Sequence, residues 1–178
     1  MKIRLFILCT FLLTACTGNQ FEREDIVAEL NGNEIKVEDI LWQYSLDENP
    51  EAIVLDYLKQ EVVIQEAKDK GITVTEEEIE ERKQAMFPNS NANDRFEVFD
   101  EKEFYEKQAA ILEVTPEHYY KVWEANTYTK QEYVEKYIEM NFGEPTDDED
   151  VDVWGQEIEK HIKELFDKYK NEGKLITK

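Results

Sequence analysis

The pattern of apolar and polar positions divides the chain into elements. Val27-Ala28-Glu29-Leu30 reads as a strand that stops at Asn31-Gly32, a pair that accepts the positive φ of a tight reversal. Val37, Ile40, Leu41 and Tyr44 then recur at helical spacing, with Trp42 beside them. They predict a short helix over 37–46, separated by Asn49-Pro50 from the next. Over 51–70, Ala52, Ile53, Val54, Leu55, Tyr57, Leu58, Val62, Val63, Ile64 and Ala67 cover most of a helix circumference. A helix apolar nearly all round is expected to be buried on several sides. Gly71 suits the left-handed residue that ends it, and Thr75-Glu76-Glu77-Glu78 is a capping box for its successor.

Beyond Glu76 the apolar positions thin to Ile79, Ala85, Met86 and Phe87, predicting one narrow buried stripe. Segment 88–94 is a loop by composition. Asp100 is placed to cap a helix carrying Phe104, Tyr105, Gln108, Ile111 and Leu112. Thr115-Pro116 opens a long helix with Tyr119, Trp123, Thr127, Lys130, Val134, Tyr137 and Ile138 on one face. Its polar interruption predicts a bend or break within 126–130. Gly143-Glu144-Pro145 ends it, and 144–152 reads as an acidic connector. Trp154, Ile158, Ile162, Leu165, Phe166 and Tyr169 mark a final amphipathic helix, stopped by Gly173 before Leu175-Ile176-Thr177, a short strand. A lone strand leaves backbone groups unpaired, so the two terminal strands are expected to pair with each other. The expected fold is mainly α, with a small two-stranded sheet made by the N- and C-terminal segments.

The strand and turn Val27-Ala28-Glu29-Leu30-Asn31-Gly32, the segment Val62-Val63-Ile64-Gln65-Glu66-Ala67-Lys68 and the close Lys70-Gly71-Ile72-Thr73-Val74-Thr75-Glu76-Glu77-Glu78 together resemble the N-terminal chaperone domain of SurA/PrsA-type extracytoplasmic foldases. The resemblance implies a SurA-like helical domain over 26–178, whose last helix and strand return to the N-terminal part after an inserted isomerase module. A parvulin-type module needs roughly ninety residues to bury a core. The insertion point here holds only the connector at 144–152, so the isomerase unit is expected to be missing, and the matching residues include none that is catalytic.

At the start of the chain, Lys2 and Arg4 precede the apolar run from Leu5 to Leu13, followed by Leu13-Thr14-Ala15-Cys16. Residues 1–15 read as a signal peptide and Cys16 as the diacylated residue of a lipobox; the alternative is an ordinary signal peptide with an incidental cysteine. Residues 16–25 are then a polar tether, and the expected location is the extracytoplasmic face of the bacterial cell membrane, held by lipid. Cys9 lies in the segment removed and Cys16 carries lipid, so no disulfide is expected. Loss of Lys2 and Arg4 moves the formal net charge from −21 to −23, since 1–15 holds no acidic residue. That balance argues against nucleic acid and against electrostatic adhesion to anionic lipid.

Motifs for chemistry are scarce. Asn89, Asn91, Asn93, Glu97 and Asp100 fall at calcium-loop spacing, but Asp94 stands where the loop needs glycine and Asp100 where it needs glutamate, so no metal is expected. His118 and His161 have no ligand partners nearby in sequence, and there is no nucleophile elbow or phosphate-cradling loop. No catalytic residue and no cofactor are expected. Met86, Phe87, Phe96, Phe99 and Tyr105 lie in weakly patterned stretches and are the candidate client-binding residues, because methionine and aromatics repack against varied apolar peptides. The function expected is an ATP-independent chaperone that holds unfolded exported polypeptides. The alternatives are a lipoprotein module for one envelope partner and, by family association alone, a peptidyl-prolyl isomerase.

Overall fold

Asn31 (φ 49°) and Gly32 (φ 83°) both occupy the left-handed region and reverse the chain in two residues. They join β1 (Ile26–Leu30) to β2 (Asn33–Lys36) in an antiparallel hairpin that pairs Leu30 with Asn33 and Ala28 with Ile35. The computed structural model describes residues 21–98, 102–145 and 150–178. The signal segment 1–15, Cys16 and tether residues 17–20, residues 99–101 with Phe99 and Asp100 among them, and the connector residues 146–149 lie outside the described residues.

The helices follow in chain order: α1 (Val37–Leu41), α2 (Pro50–Asp69), α3 (Glu76–Met86), α4 (Ala92–Val98), α5 (Lys102–Leu112), α6 (Pro116–Phe142) and α7 (Asp150–Asn171), before β3 (Leu175–Thr177). None of the described helices is long and apolar enough to cross a membrane. At the end of α7 the Lys174 amide donates to the Tyr169 carbonyl and the Gly173 amide to that of Lys170, with Gly173 at φ 70°. This Schellman close turns the chain directly into β3.

As expected, β3 pairs with β1. Leu175 lies opposite Leu30, Ile176 opposite Glu29 and Thr177 opposite Ala28, and the pairing is antiparallel. Asn31 N–H donates to Lys174 O at 2.7 Å and Lys178 N–H to Val27 O at 3.0 Å, extending the ladder at both ends. The sheet has three strands in the order β2-β1-β3, not two. Segment 33–36 carries a single apolar residue, Ile35, so no alternation marks it as a strand; the hairpin geometry brings it into the sheet.

One hydrophobic cluster, drawn from residues between Val27 and Leu175, fills the space between sheet and helices. A chain beginning at Thr17 therefore contains every core residue found among the described residues. Its centre is the C-terminal part of α2, where Tyr57, Leu58, Val62, Val63, Ile64 and Ala67 are buried. The first turns of that helix are less enclosed, and Leu55 is 42% exposed, so the expected burial on several sides holds best for the later turns.

Three further expectations change. Helix α6 runs unbroken through 126–130. There Thr129 Oγ1 donates to the Ala125 carbonyl within the helix at 2.7 Å, and Lys130 meets Glu61 of α2 at 2.6 Å with its ammonium 4.0 Å from the Tyr57 ring centroid. The polar interruption is thus a contact with α2. Helix α1 is shorter than 37–46, because Gln43 N–H turns back to Ile40 O. Within the expected loop, Asn91 Oδ1 accepts from the amides of Asn93 (2.9 Å) and Asp94 (3.1 Å), which supplies the cap that starts α4.

Helix α3 has the predicted capping box at Thr75 and Glu78 but no buried residue, so the stripe at Ile79, Ala85, Met86 and Phe87 does not enter the core. Charges hold it to α6 instead: Arg82 pairs with Glu132 at 2.9 Å and also with Glu135, and Lys136 pairs with Glu78 at 2.5 Å.

The strand register makes a simple prediction. Leu175 is 2% exposed and Ile176, its neighbour on the other face, 47% exposed. Leu175→Ala is expected to destabilise the chain by about 2–4 kcal/mol and Ile176→Ala by less than about 1 kcal/mol, read as the shift in denaturant midpoint.

Candidate functional site: an apolar groove between α2 and α7

The strongly amphipathic α7 buries Ile158, Leu165, Phe166 and Tyr169. Tyr169 locks it to α2 through its hydroxyl, which donates to Glu66 Oε2 at 2.9 Å. Burial is the chief cause, and the nearby Glu66 and Asp69 carboxylates the next, that push the Tyr169 phenol above its ordinary value. Between α7 and the partly exposed first half of α2 the space is not filled.

Two adjoining hollows result. The first, about 870 Å³, lies between α2, α6 and α7, with Leu55, Val63, Val134, Ile162 and Phe166 as its apolar lining. Asp56, Glu159 and Asp167 are balanced around it by Lys59, Lys160 and Lys163. The second, about 640 Å³, continues past Leu55 and Phe166 towards Val27, Val54 and Leu58, ending at Phe21 and the Thr177-Lys178 terminus. Leu55 and Phe166 line both, so the two form one groove. In a chain of net charge −21, equal numbers of acids and lysines around the larger hollow leave it without strong sign preference. It is shaped to cover apolar surface.

A smaller pocket, about 340 Å³, lies apart from this groove and is lined by Gln43, Tyr44, Ser45, Ile53, Phe104, Tyr105 and Trp123.

The residues proposed from sequence do not line the groove. Phe96 and Tyr105, at 5% and 6% exposure, are core residues. Their rings sit 6.1 Å apart, and that of Tyr105 is 5.2 Å from Tyr120 and 5.3 Å from Trp123. They join α4 and α5 to α6, because the Asn91 cap makes 92–98 helical and turns Phe96 inward. Both therefore pack in the core and do not offer a free client-binding surface, although Tyr105 also lines the small pocket. Phe87 is half-buried where α3 ends. Met86 is exposed, with its sulfur accepting from the Tyr128 hydroxyl at 3.4 Å. Phe99 and the lipidation residue Cys16 lie outside the described residues.

One polar cluster was not singled out by sequence. Arg95 and Glu124 are both buried and form a two-pronged pair, Nε to Oε1 at 2.5 Å and Nη2 to Oε2 at 2.7 Å. The Tyr120 hydroxyl donates to Glu124 at 3.0 Å, Lys83 stands 3.5 Å from it, and Arg95 Nη1 donates to the Ser90 carbonyl at 2.8 Å. Burial pulls the Glu124 carboxyl upward, but the Arg95 and Tyr120 hydrogen bonds and the Arg95 and Lys83 charges outweigh it and hold the carboxyl below its ordinary value. With its acceptors and donors satisfied, the cluster fastens α4 to α6. Among forty-two acids, no local pattern distinguishes Glu124. His161 is likewise engaged, its Nε2 2.8 Å from the Tyr137 hydroxyl. Among the described residues no group of three His, Cys, Asp or Glu side chains is placed to hold a metal ion.

Comparison with family models, curated proteins and solved structures finds no match for this chain.

Breaking the buried pair from one side strands a charge. Glu124→Gln is expected to cost about 3–5 kcal/mol in chemical unfolding. Since the folded carboxyl titrates below its ordinary 4.5, its contribution in the wild type is fully present above that pH and fades as pH falls through the folded value. Glu124→Gln should lose part of the wild type's acid dependence of stability, measured as unfolding midpoint against pH.

Proposed function

We propose that this chain is a lipid-anchored, ATP-independent chaperone-like protein that holds unfolded exported polypeptides at the outer face of the cytoplasmic membrane. The observation that carries the reading is the continuous open groove of Leu55, Val63, Ile162 and Phe166, on a scaffold whose terminal strands pair as the resemblance to SurA/PrsA-type chaperone domains implies. An unfolded segment lays apolar side chains along this lining, while the charged surround stays in water. Each 100 Å² of apolar surface covered contributes roughly 2.5 kcal/mol before the cost of ordering the segment is subtracted. Contacts of this size give weak, reversible capture that needs no nucleotide. The anchor is Cys16, whose two acyl chains supply the membrane affinity that one chain lacks. The role is binding rather than catalysis.

The fixed arrangement of Lys59, Lys160 and Lys163 against Asp56, Glu159 and Asp167 also supports the alternative of one particular envelope partner, which would meet these charges in register. Recovery from membranes of a single stoichiometric protein that unfolded peptides do not displace would favour that reading. Catalysed proline isomerisation above background would favour the isomerase alternative instead.

Two outcomes are expected. The chain from Thr17 onward suppresses aggregation of several unfolded clients, measured by light scattering, at near-equal molar amounts; Leu55→Asp lowers this several-fold while costing less than about 1 kcal/mol in stability. No suppression by the wild type overturns the proposal. Separately, Cys16→Ser in the full chain moves the protein from the membrane fraction to the soluble or secreted one. Unchanged membrane association would show that Cys16 is not the anchor.

A further inference from the structure

Met86 closes α3 and is 62% exposed, yet its sulfur is engaged: the Tyr128 hydroxyl on α6 donates to it at 3.4 Å. Tyr128 is buried, and that burial first, then the Glu124 charge, holds its phenol above the ordinary value, so the proton stays on the oxygen as a donor. A buried phenol calls for a good acceptor, and a thioether is a weak one. The contact also sits where a stronger one would matter. Helix α3 buries no residue and is held to α6 chiefly by ion pairs, among them Arg82 with Glu132 and Lys136 with Glu78.

A sulfur carrying one oxygen is a far better acceptor for that hydroxyl. Oxidation of methionine ordinarily harms a protein because it puts a polar group into a core. Here the residue already lies largely in solvent, so the added oxygen costs little desolvation. The unbranched side chain, with three rotatable bonds at the end of a helix, has the freedom to bring that oxygen to the hydroxyl. We propose that Met86 is a site of reversible oxidation by hydrogen peroxide, and that its sulfoxide oxygen accepts from the Tyr128 hydroxyl and fastens α3 to α6. In the step a sulfur lone pair attacks one peroxide oxygen, the S–O bond forms as the O–O bond breaks, and the departing hydroxide takes the remaining proton and leaves as water. Sulfur loses two electrons and the peroxide gains them. A thiol-dependent sulfoxide reductase returns the thioether, releasing the oxygen as water while two thiols become a disulfide. Neither Met86 nor Tyr128 lines the α2–α7 groove, so this inference stands or falls independently of the holding activity.

The test uses the chain from Thr17 onward with Met140→Leu, which leaves Met86 as the one methionine of its natural sequence. Hydrogen peroxide is expected to add a single oxygen to the peptide holding Met86, read by mass spectrometry, at doses that oxidise N-acetylmethionine amide. Amide hydrogen exchange across α3 is then measured before and after oxidation in about 1 M sodium chloride, where a Debye length of about 3 Å weakens the ion pairs. Oxidation is expected to slow that exchange about threefold or more, as a gained hydrogen bond implies, and a sulfoxide reductase to restore it. In Tyr128→Phe the slowing is lost. Should that variant fold poorly, Met86→Gln, whose amide oxygen stands in for that of the sulfoxide, is expected to slow α3 exchange relative to Met86→Leu with no oxidant present. Resistance of Met86 to peroxide, exchange in α3 that is unchanged or faster after oxidation, slowing that persists in Tyr128→Phe, or equal exchange in the Gln and Leu variants overturns the inference.

Discussion

The antiparallel ladder between β1 and β3 is the constraint from which the remaining architecture follows. Strands of three and five residues cannot stand alone, and each supplies what the other's backbone lacks. Pairing Leu175 with Leu30 also fixes where α7 ends, since Gly173 leaves only a tight turn between helix and strand. With its end fixed and Tyr169 tied to Glu66, α7 lies along α2 and meets it most closely there. The groove is the space this geometry leaves along the side of α7, from Gln156 to Lys170. A helix free to slide would close over Leu55 and Phe166.

Contacts away from the sheet divide into two kinds. Aromatic packing around Tyr105, Tyr119 and Tyr120 joins α5 and α4 to α6, and the phenols of Tyr119 and Tyr120 are pushed well above their ordinary value, chiefly by burial. Polar contacts place the same helices in register: Arg95 with Glu124, and the Tyr119 hydroxyl with the Leu41 carbonyl at 3.0 Å. A chain with so many acids thus keeps only a few in the interior and pairs the one it buries most fully.

How much of this was legible in the sequence depended on how local each signal was. Thr75 with Glu78, Thr115 with Pro116, and Gly71 and Gly173 are signals contained within a few residues, and the helices begin or end where these residues stand. The pairing of β3 with β1 followed from counting strands, because an unpaired one would be untenable. Segment 33–36 escaped notice because a hairpin, not its own pattern, makes it a strand. Phe96 and Tyr105 read as client-binding candidates because their stretches are weakly patterned; the Asn91 cap that makes 92–98 helical looks in sequence like part of a loop. The groove arises from residues far apart in the chain, as does the partnership of Arg95 and Glu124. No window of sequence contains them.

The attachment of α3 has a consequence of its own. That helix contributes no side chain to the interior and is fastened to α6 by Arg82, Lys136 and their carboxylate partners, of which Glu78 is drawn down to about 2 by its hydrogen bonds to Lys136 and Thr75. Partly solvated ion pairs weaken as dissolved ions shield them over a Debye length of about 8 Å at physiological strength. The rest of the protein is held chiefly by its apolar core, the strand ladder and ion pairs more deeply buried than these, such as Arg95 with Glu124, which dissolved ions shield less. This arm therefore has a grip that ionic strength loosens more than it loosens the body, with the shielded contact of Lys83 and Glu124 as its most salt-resistant tie.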